Sequence, residues 1–135
     1  MKIIIVFILV LLITSCHMND PRPENHRANV TTVGSRVCVI SPGSEGESIS
    51  SLSISEVGSD LNMLNKTFTT ENAPRLYPNK CAPNFGFKFE YGKAYVFSIN
   101  SIHINENDTV NNGRSYSVTF SLWMDKGELK AIDIN

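Results

Sequence analysis

The chain has no long hydrophobic run, almost no helical periodicity, no excess of charge of either sign, and only three cysteines, three histidines and one tryptophan. Each scarcity excludes something. The longest apolar stretch, Ile3–Ile13, is eleven residues, roughly 16 Å as a helix at about 1.5 Å per residue, too short to cross a hydrocarbon core of about 30 Å. Twelve Lys and Arg against thirteen Asp and Glu leave a formal net charge of −1, so there is no electrostatic footprint for nucleic acid or for an anionic membrane surface. No phosphate-cradling glycine loop and no Gly-x-Ser-x-Gly elbow occur, and neither a metal nor a small-molecule cofactor is expected.

What is present at the N-terminus is an export signal. Lys2 precedes the apolar run, and Thr14 and Ser15 stand before Cys16, the order of a secretory leader rather than of a fold element. Ile13-Thr14-Ser15-Cys16 resembles the lipobox of bacterial lipoproteins, which implies cleavage before Cys16 and acylation of that cysteine. Acyl chains add about 0.8 kcal/mol per buried methylene, so several of them give stable attachment. His17 and Met18 follow, without the aspartate that commonly retains such lipoproteins at the inner membrane. The expected location is therefore the outer membrane, facing the periplasm.

The expected organisation is a signal peptide over residues 1–15, a polar tether with Pro21 and Pro23 over 16–27, and one domain over 28–135. Fully extended at about 3.5 Å per residue, the tether reaches on the order of 35–40 Å. With Cys16 acylated, Cys38 and Cys81 are an even pair in an oxidising compartment, and a bridge between them is expected. The alternatives are two separate buried thiols or, less compatible with the spacing, a zinc site.

Alternation of apolar and polar residues dominates the body. Residues 28–40 read as a tight hairpin turning at Gly34-Ser35, and Ser41 to Glu47, with Pro42, Gly43 and Gly46, as a loop. Ile49, Leu52, Ile54 and Val57 are spaced for a strand with one irregularity, and Lys66-Thr67-Phe68-Thr69-Thr70 for another short strand. Residues 71–84 form a connection pinned by Pro74, Pro78 and Pro83 and held by Cys81. Phe85, Phe87, Phe89 and Tyr91 alternate, then Tyr95, Phe97 and Ile99, so one face of this stretch belongs to a core. The change of parity between Ile99 and Ile102 predicts a bulge or bend. Glu106 to Gly113 reads as a polar hairpin loop. Tyr116, Val118, Phe120 and Leu122 give the cleanest alternation, with Trp123 on the other face, a turn at Asp125-Lys126-Gly127 and a last strand through Leu129, Ile132 and Ile134. Seven or eight short antiparallel strands in this length predict an all-β sandwich of immunoglobulin or fibronectin type, with a closed barrel as the other solution.

Chemistry-bearing residues are scattered. His17 and His26 fall in the tether, and His103 in an alternating strand where it completes a solvated face. Ser48, Ser50, Ser51, Ser53 and Ser55 read as the polar side of a strand; Glu45, Glu47, Glu56 and Asp60 read as a solvated set in loops and strand ends. No catalytic residue is assigned and the chain reads as a non-enzyme. Asn29, Asn65 and Asn107 begin Asn-x-Thr triplets with no consequence in most bacteria, and Tyr116 and Trp123 read as core or edge packing.

Three further features occur in a familiar order: Val37-Cys38-Val39 after the first hairpin, Lys80-Cys81-Ala82-Pro83, and Gly92-Lys93-Ala94-Tyr95-Val96-Phe97 opening a strand. With the lipobox they resemble the small periplasmic type VI secretion immunity lipoproteins of enteric bacteria. The resemblance implies a lipid-held binder that neutralises a toxin protein by contact, with specificity in surface loops, for which Ser41–Glu47 and Glu106–Gly113 are the candidates. Other functions compatible with the residues are an inhibitor of a lysozyme or protease and a structural envelope lipoprotein. The anchor is directly testable: Cys16→Ala should abolish metabolic labelling with a palmitate analogue and change the membrane fractionation, and a variant that keeps its label refutes the lipobox assignment.

Overall fold

In the computed structural model, described for Ile3 and residues 25–43, 45–105, 107 and 110–134, alternation is the rule that builds the molecule. Apart from Ile3, residues 1–24, which include Cys16 and the expected leader and most of the expected tether, lie outside the described residues. Eight strands are present: β1 Asn25–Arg27, β2 Asn29–Val33, β3 Arg36–Ile40, β4 Glu47–Glu56, β5 Met63–Thr67, β6 Ala94–Ile104, β7 Val110–Asp125 and β8 Glu128–Asp133. The large sheet runs β1-β7-β6-β4-β5, with β8 on the same edge of β7 as β1, beyond it; β2 and β3 form a second, two-stranded sheet. The fold is an all-β sandwich of unequal layers. One pair departs from the antiparallel expectation, since β1 runs parallel to β7.

Side chains two apart on a strand share a face, so Tyr116, Val118, Phe120 and Leu122 of β7 all point inward, beside Tyr95, Phe97 and Ile99 of β6 and Ile49, Leu52 and Ile54 of β4. Each large side chain buried in this way contributes roughly 1.5–3 kcal/mol. The outward positions are small and uncharged: Ser51, Ser53 and Ser55 on β4, Ser98 on β6, and Ser115, Ser117, Thr119 and Ser121 on β7. The serine-rich run is thus the polar side of a strand, except Ser48, which is buried where it bridges to Arg75, and Ser50, which occupies a bulge. Trp123 faces outward.

Both expected irregularities are bulges, and they lie at one level of the sheet. The β4–β6 register shifts between Ile49 and Ser51, and the β6–β7 register between Asn100 and Ile102. In the second, Gly113 and Arg114 oppose Ser101 alone, and a Cβ on Gly113 would collide with the Ser101 carbonyl and hydroxyl. This re-phasing keeps Val110 to Asn112 in the ladder, so the polar loop expected over 106–113 is shorter than its composition suggests. The short strand expected at Lys66–Thr70 instead occupies Met63–Thr67, because its ladder with β4 ends at the Ser50 bulge, where the Phe68 amide donates to the Ser50 carbonyl at 2.9 Å.

The second layer is the β2–β3 hairpin together with residues 68–93, which contain no strand. The hairpin turns at Gly34 with φ of +62°, as the sequence predicts. Thr32 Oγ1 donates to the Leu129 carbonyl at 3.1 Å, holding the hairpin to the sheet. Over the core's other half, Phe87 and Phe89 pack edge-on to Tyr95, at centroid distances of 5.8 and 5.0 Å, and the Glu90 amide donates to Tyr95 Oη at 2.8 Å. Of the alternating aromatics before Gly92, Phe87 and Phe89 therefore reach the core without joining the sheet, whereas Phe85 and Tyr91 are exposed.

Cys38 and Cys81 are bonded, closing a separation of 43 residues, and the Ala82 amide donates to the Val39 carbonyl at 2.7 Å beside them. Residues 25–27, assigned to the tether on composition, instead open the domain: Asn25, His26 and Arg27 pair with Ser115, Tyr116 and Ser117, and Arg27 Nε donates to Asp133 at 2.6 Å. Only one side chain of that strand faces inward, too few to make a sequence period. In the chain-entropy account a loop of this length is worth about 4 kcal/mol. Urea unfolding of a Cys38→Ala/Cys81→Ala double variant should show a stability loss of about 2–5 kcal/mol, and the native protein should show no alkylatable thiol at either position before reduction.

Candidate functional site

Strand polarity gathers one end of the sandwich. β4 begins there at Glu47, paired with His103 near the end of β6, and β7 begins there at Val110. The described residues of the loop 41–46, together with Ile104 and Val110, which bound the β6–β7 connection, therefore lie at the same end; Ser44, Glu106, Asp108 and Thr109 of the two candidate recognition segments lie outside the described residues. Residues 74–76 join them by backbone bonds to the start of β4: the Ile49 amide donates to the Pro74 carbonyl at 2.7 Å and the Leu76 amide to the Glu47 carbonyl at 2.9 Å.

The interior of this end is polar. Glu47 stands two residues before Ile49 on the inward face and is 3 % exposed. Composition alone assigns it to a solvated set; the structure corrects this, because Tyr116 Oη donates to its carboxylate, 2.8 Å from Oε2 and 3.0 Å from Oε1, and Ser101 Oγ lies 3.2 Å from Oε1. Ser101 also accepts from the Arg114 amide at 2.8 Å, and its single proton is shared between Glu47 and the Arg114 carbonyl at 3.1 Å. A carboxylate out of water is tolerable only with such donors. Above it lies Gly43: a Cβ there would collide with Glu47 Oε2 and stand 2.9 Å from Tyr116 Oη. Ser41 is fully buried in the same loop.

The two described histidines flank the cluster. The His26 ring is 5.8 Å from that of Tyr116, so His26 belongs to the sheet rather than to a tether. His103 is half-buried against Gly46, where a Cβ would lie 3.0 Å from its Cε1; it does not complete a solvated face. His17 lies outside the described residues. Glu45 is exposed, as expected. Glu56 is half-buried at the opposite end, where the Asn62 amide at 2.9 Å and the Lys93 ammonium at 3.3 Å hold its carboxyl below the usual range. Among the described residues no group of His, Cys, Asp and Glu is placed to hold a metal ion.

Outside this polar plug is a cleft of about 350 Å³ lined by Glu45 and Gly46 on one side and by Arg75 to Lys80 on the other. Glu45 and Gly46 thus supply one wall and the proline-pinned connection the second. Nearby, a hollow lined by Thr70, Glu71, Ile104 and Val110 borders the start of β7. Glu47 was findable from its parity with Ile49; the Arg75–Lys80 wall carried no sequence signal beyond its prolines.

A family model matches residues 25–125, from the start of β1 to the end of β7. Its description is a domain of unknown function, DUF7480. The chain belongs to that family. No curated protein and no solved structure matches it. Within the DUF7480 domain lie both halves of the disulfide, the Glu47 cluster and the whole of the cleft.

Burial, followed by the Glu47 carboxylate, pushes the Tyr116 phenol up to about 12, while Arg114 pulls the other way. A raised native value means that the folded state keeps a proton which the unfolded chain loses near pH 10, so stability from this group is complete below pH 10 and declines as pH rises toward 12. Alkaline titration at 295 nm should show one of the four tyrosines ionising last, and Tyr116→Phe should remove that step. The variant leaves Glu47 short of its best donor and should cost about 1–3 kcal/mol in urea unfolding at pH 7.

Proposed function

We propose that this protein is a lipid-anchored, periplasm-facing binding protein that acts as an immunity protein, neutralising a type VI secretion toxin by direct contact, and that it is not an enzyme. The observation that carries the reading is the construction of the cleft end: recognition segments of irregular backbone mounted on a β-sandwich frame that is tied by a disulfide. Rigid presentation of loop residues favours binding, because less conformational entropy is lost on association. The buried carboxylate supports a binding role over a catalytic one. Both Glu47 oxygens are engaged by hydroxyl groups, and Gly43 covers them, so this acid serves to hold the loop in place.

Attachment through Cys16, at the outer membrane, suits a stoichiometric neutraliser: confinement to the envelope surface raises the local concentration of the binder where a delivered protein arrives. The reading is tested by expressing the product of the adjacent reading frame in the periplasm, with and without this lipoprotein, and following growth. Growth arrest relieved by co-expression is the expected result. Equal killing in both strains removes the immunity reading.

A further inference from the structure

The cleft has a charge pattern that specifies more than a shape. Its 75–80 wall is fixed from both sides: the Pro74 carbonyl and Leu76 amide are bonded to β4, and Cys81, next to Lys80, is bonded to Cys38. Between them Leu76 is 4 % exposed and anchors the segment in the core. What remains outside is displayed from a fixed backbone: Arg75, Tyr77, Asn79 and Lys80 are all exposed.

Lys80 Nζ sits over the Tyr77 ring, 4.7 Å from its centroid. A cation held over an aromatic face loses part of its rotamer freedom before any ligand arrives. Among the described residues Arg75 and Lys80 have no ion pair, and Glu45 is the only acid lining the cleft. Two cations, one of them a guanidinium able to grip a carboxylate with two parallel hydrogen bonds, face a hollow of about 350 Å³. That volume lies at the lower end of ligand sites and takes one or two side chains. Tyr77 and Pro78 offer apolar contact for the stem of an acidic side chain.

We propose that this cleft is the docking point for an acidic segment of the partner protein, whose carboxylate is taken between Arg75 and Lys80. The proposal deepens the binding-protein reading above and rests on it. A basic partner segment meets like charges here, and electrostatic mismatch of that kind is a strong discriminator between partners.

The test uses the full mature chain in detergent micelles, titrated with a tetraglutamate peptide and followed by amide chemical shifts. Saturable shifts confined to the amides of Gly46, Arg75, Leu76, Tyr77, Asn79 and Lys80 are expected, with binding weakened at least tenfold in an Arg75→Glu/Lys80→Glu double variant and unchanged in Arg36→Glu, a charge reversal beside the Gly34 turn at the far end. Absence of shifts at those amides overturns the proposal. So does saturation of the same amides by inorganic phosphate at a lower concentration than the peptide, which would mark a simple anion site. The co-expression assay separates this proposal from the reading beneath it. If the wild type and Arg36→Glu protect while the double variant does not, the cleft is the docking point. Protection by all three overturns the cleft alone. Failure of the wild type removes the immunity reading, and the peptide titration still decides the cleft.

Discussion

The second layer depends on the bond between Cys38 and Cys81. Residues 68–93 contain no strand and are tied down by a few backbone hydrogen bonds, to the large sheet at Phe68–Ser50, Pro74–Ile49, Leu76–Glu47 and Gly92 and Lys93 with Leu122, and to the hairpin at Ala82–Val39. Yet this stretch supplies Leu76, Phe87 and Phe89 to the core and one wall of the cleft. A long irregular segment has little cooperative stabilisation of its own, and a covalent tie shrinks the unfolded ensemble that competes with its docking. The bond thus closes the hydrophobic layer and holds the 75–80 wall of the cleft at the same time.

A second constraint operates at the cleft end, where the hydrophobic face of the large sheet gives way to hydroxyls and a carboxylate. The two bulges sit at the boundary, one at Ser50 and one at Gly113–Arg114. Each adds a residue to one strand, and the local change of direction brings Ser101 to Glu47 across the β4–β6 pair and to Arg114 across the β6–β7 pair. Polar groups buried in this way demand particular partners, whereas apolar ones accept many neighbours of suitable size. The end of the molecule that carries the loops is accordingly the end whose interior is most narrowly specified.

How much of this was legible in the chain follows from the same physics. Where one face is core and the other solvent, alternation reports the fold directly, and the inward sets 95–97–99 and 116–118–120–122 were readable, as were the bulges, from the parity change at Ile102 and the spacing of Ile49 and Leu52. The disulfide followed from the arithmetic of the cysteines. What could not be read depends on distant partners. Glu47 is tolerable inside because Ser101 and Tyr116, 54 and 69 residues later, reach it. The three residues of β1 are too few to show a period, and the Arg75–Lys80 wall takes its place from bonds to two other segments.

The parallel pairing of β1 with β7 has a mechanical meaning. An antiparallel neighbour could have been delivered by a hairpin from the far end, where the Gly34 and Lys126–Gly127 turns lie; a parallel one is reached from the side on which β7 starts. A pull on Asn25 directed along the axis of β1, away from Arg27, would act from the cleft side. Such a pull would load the ladder to Ser115, Tyr116 and Ser117 and the Arg27–Asp133 clasp in shear, all at once, where a perpendicular one would unzip them singly.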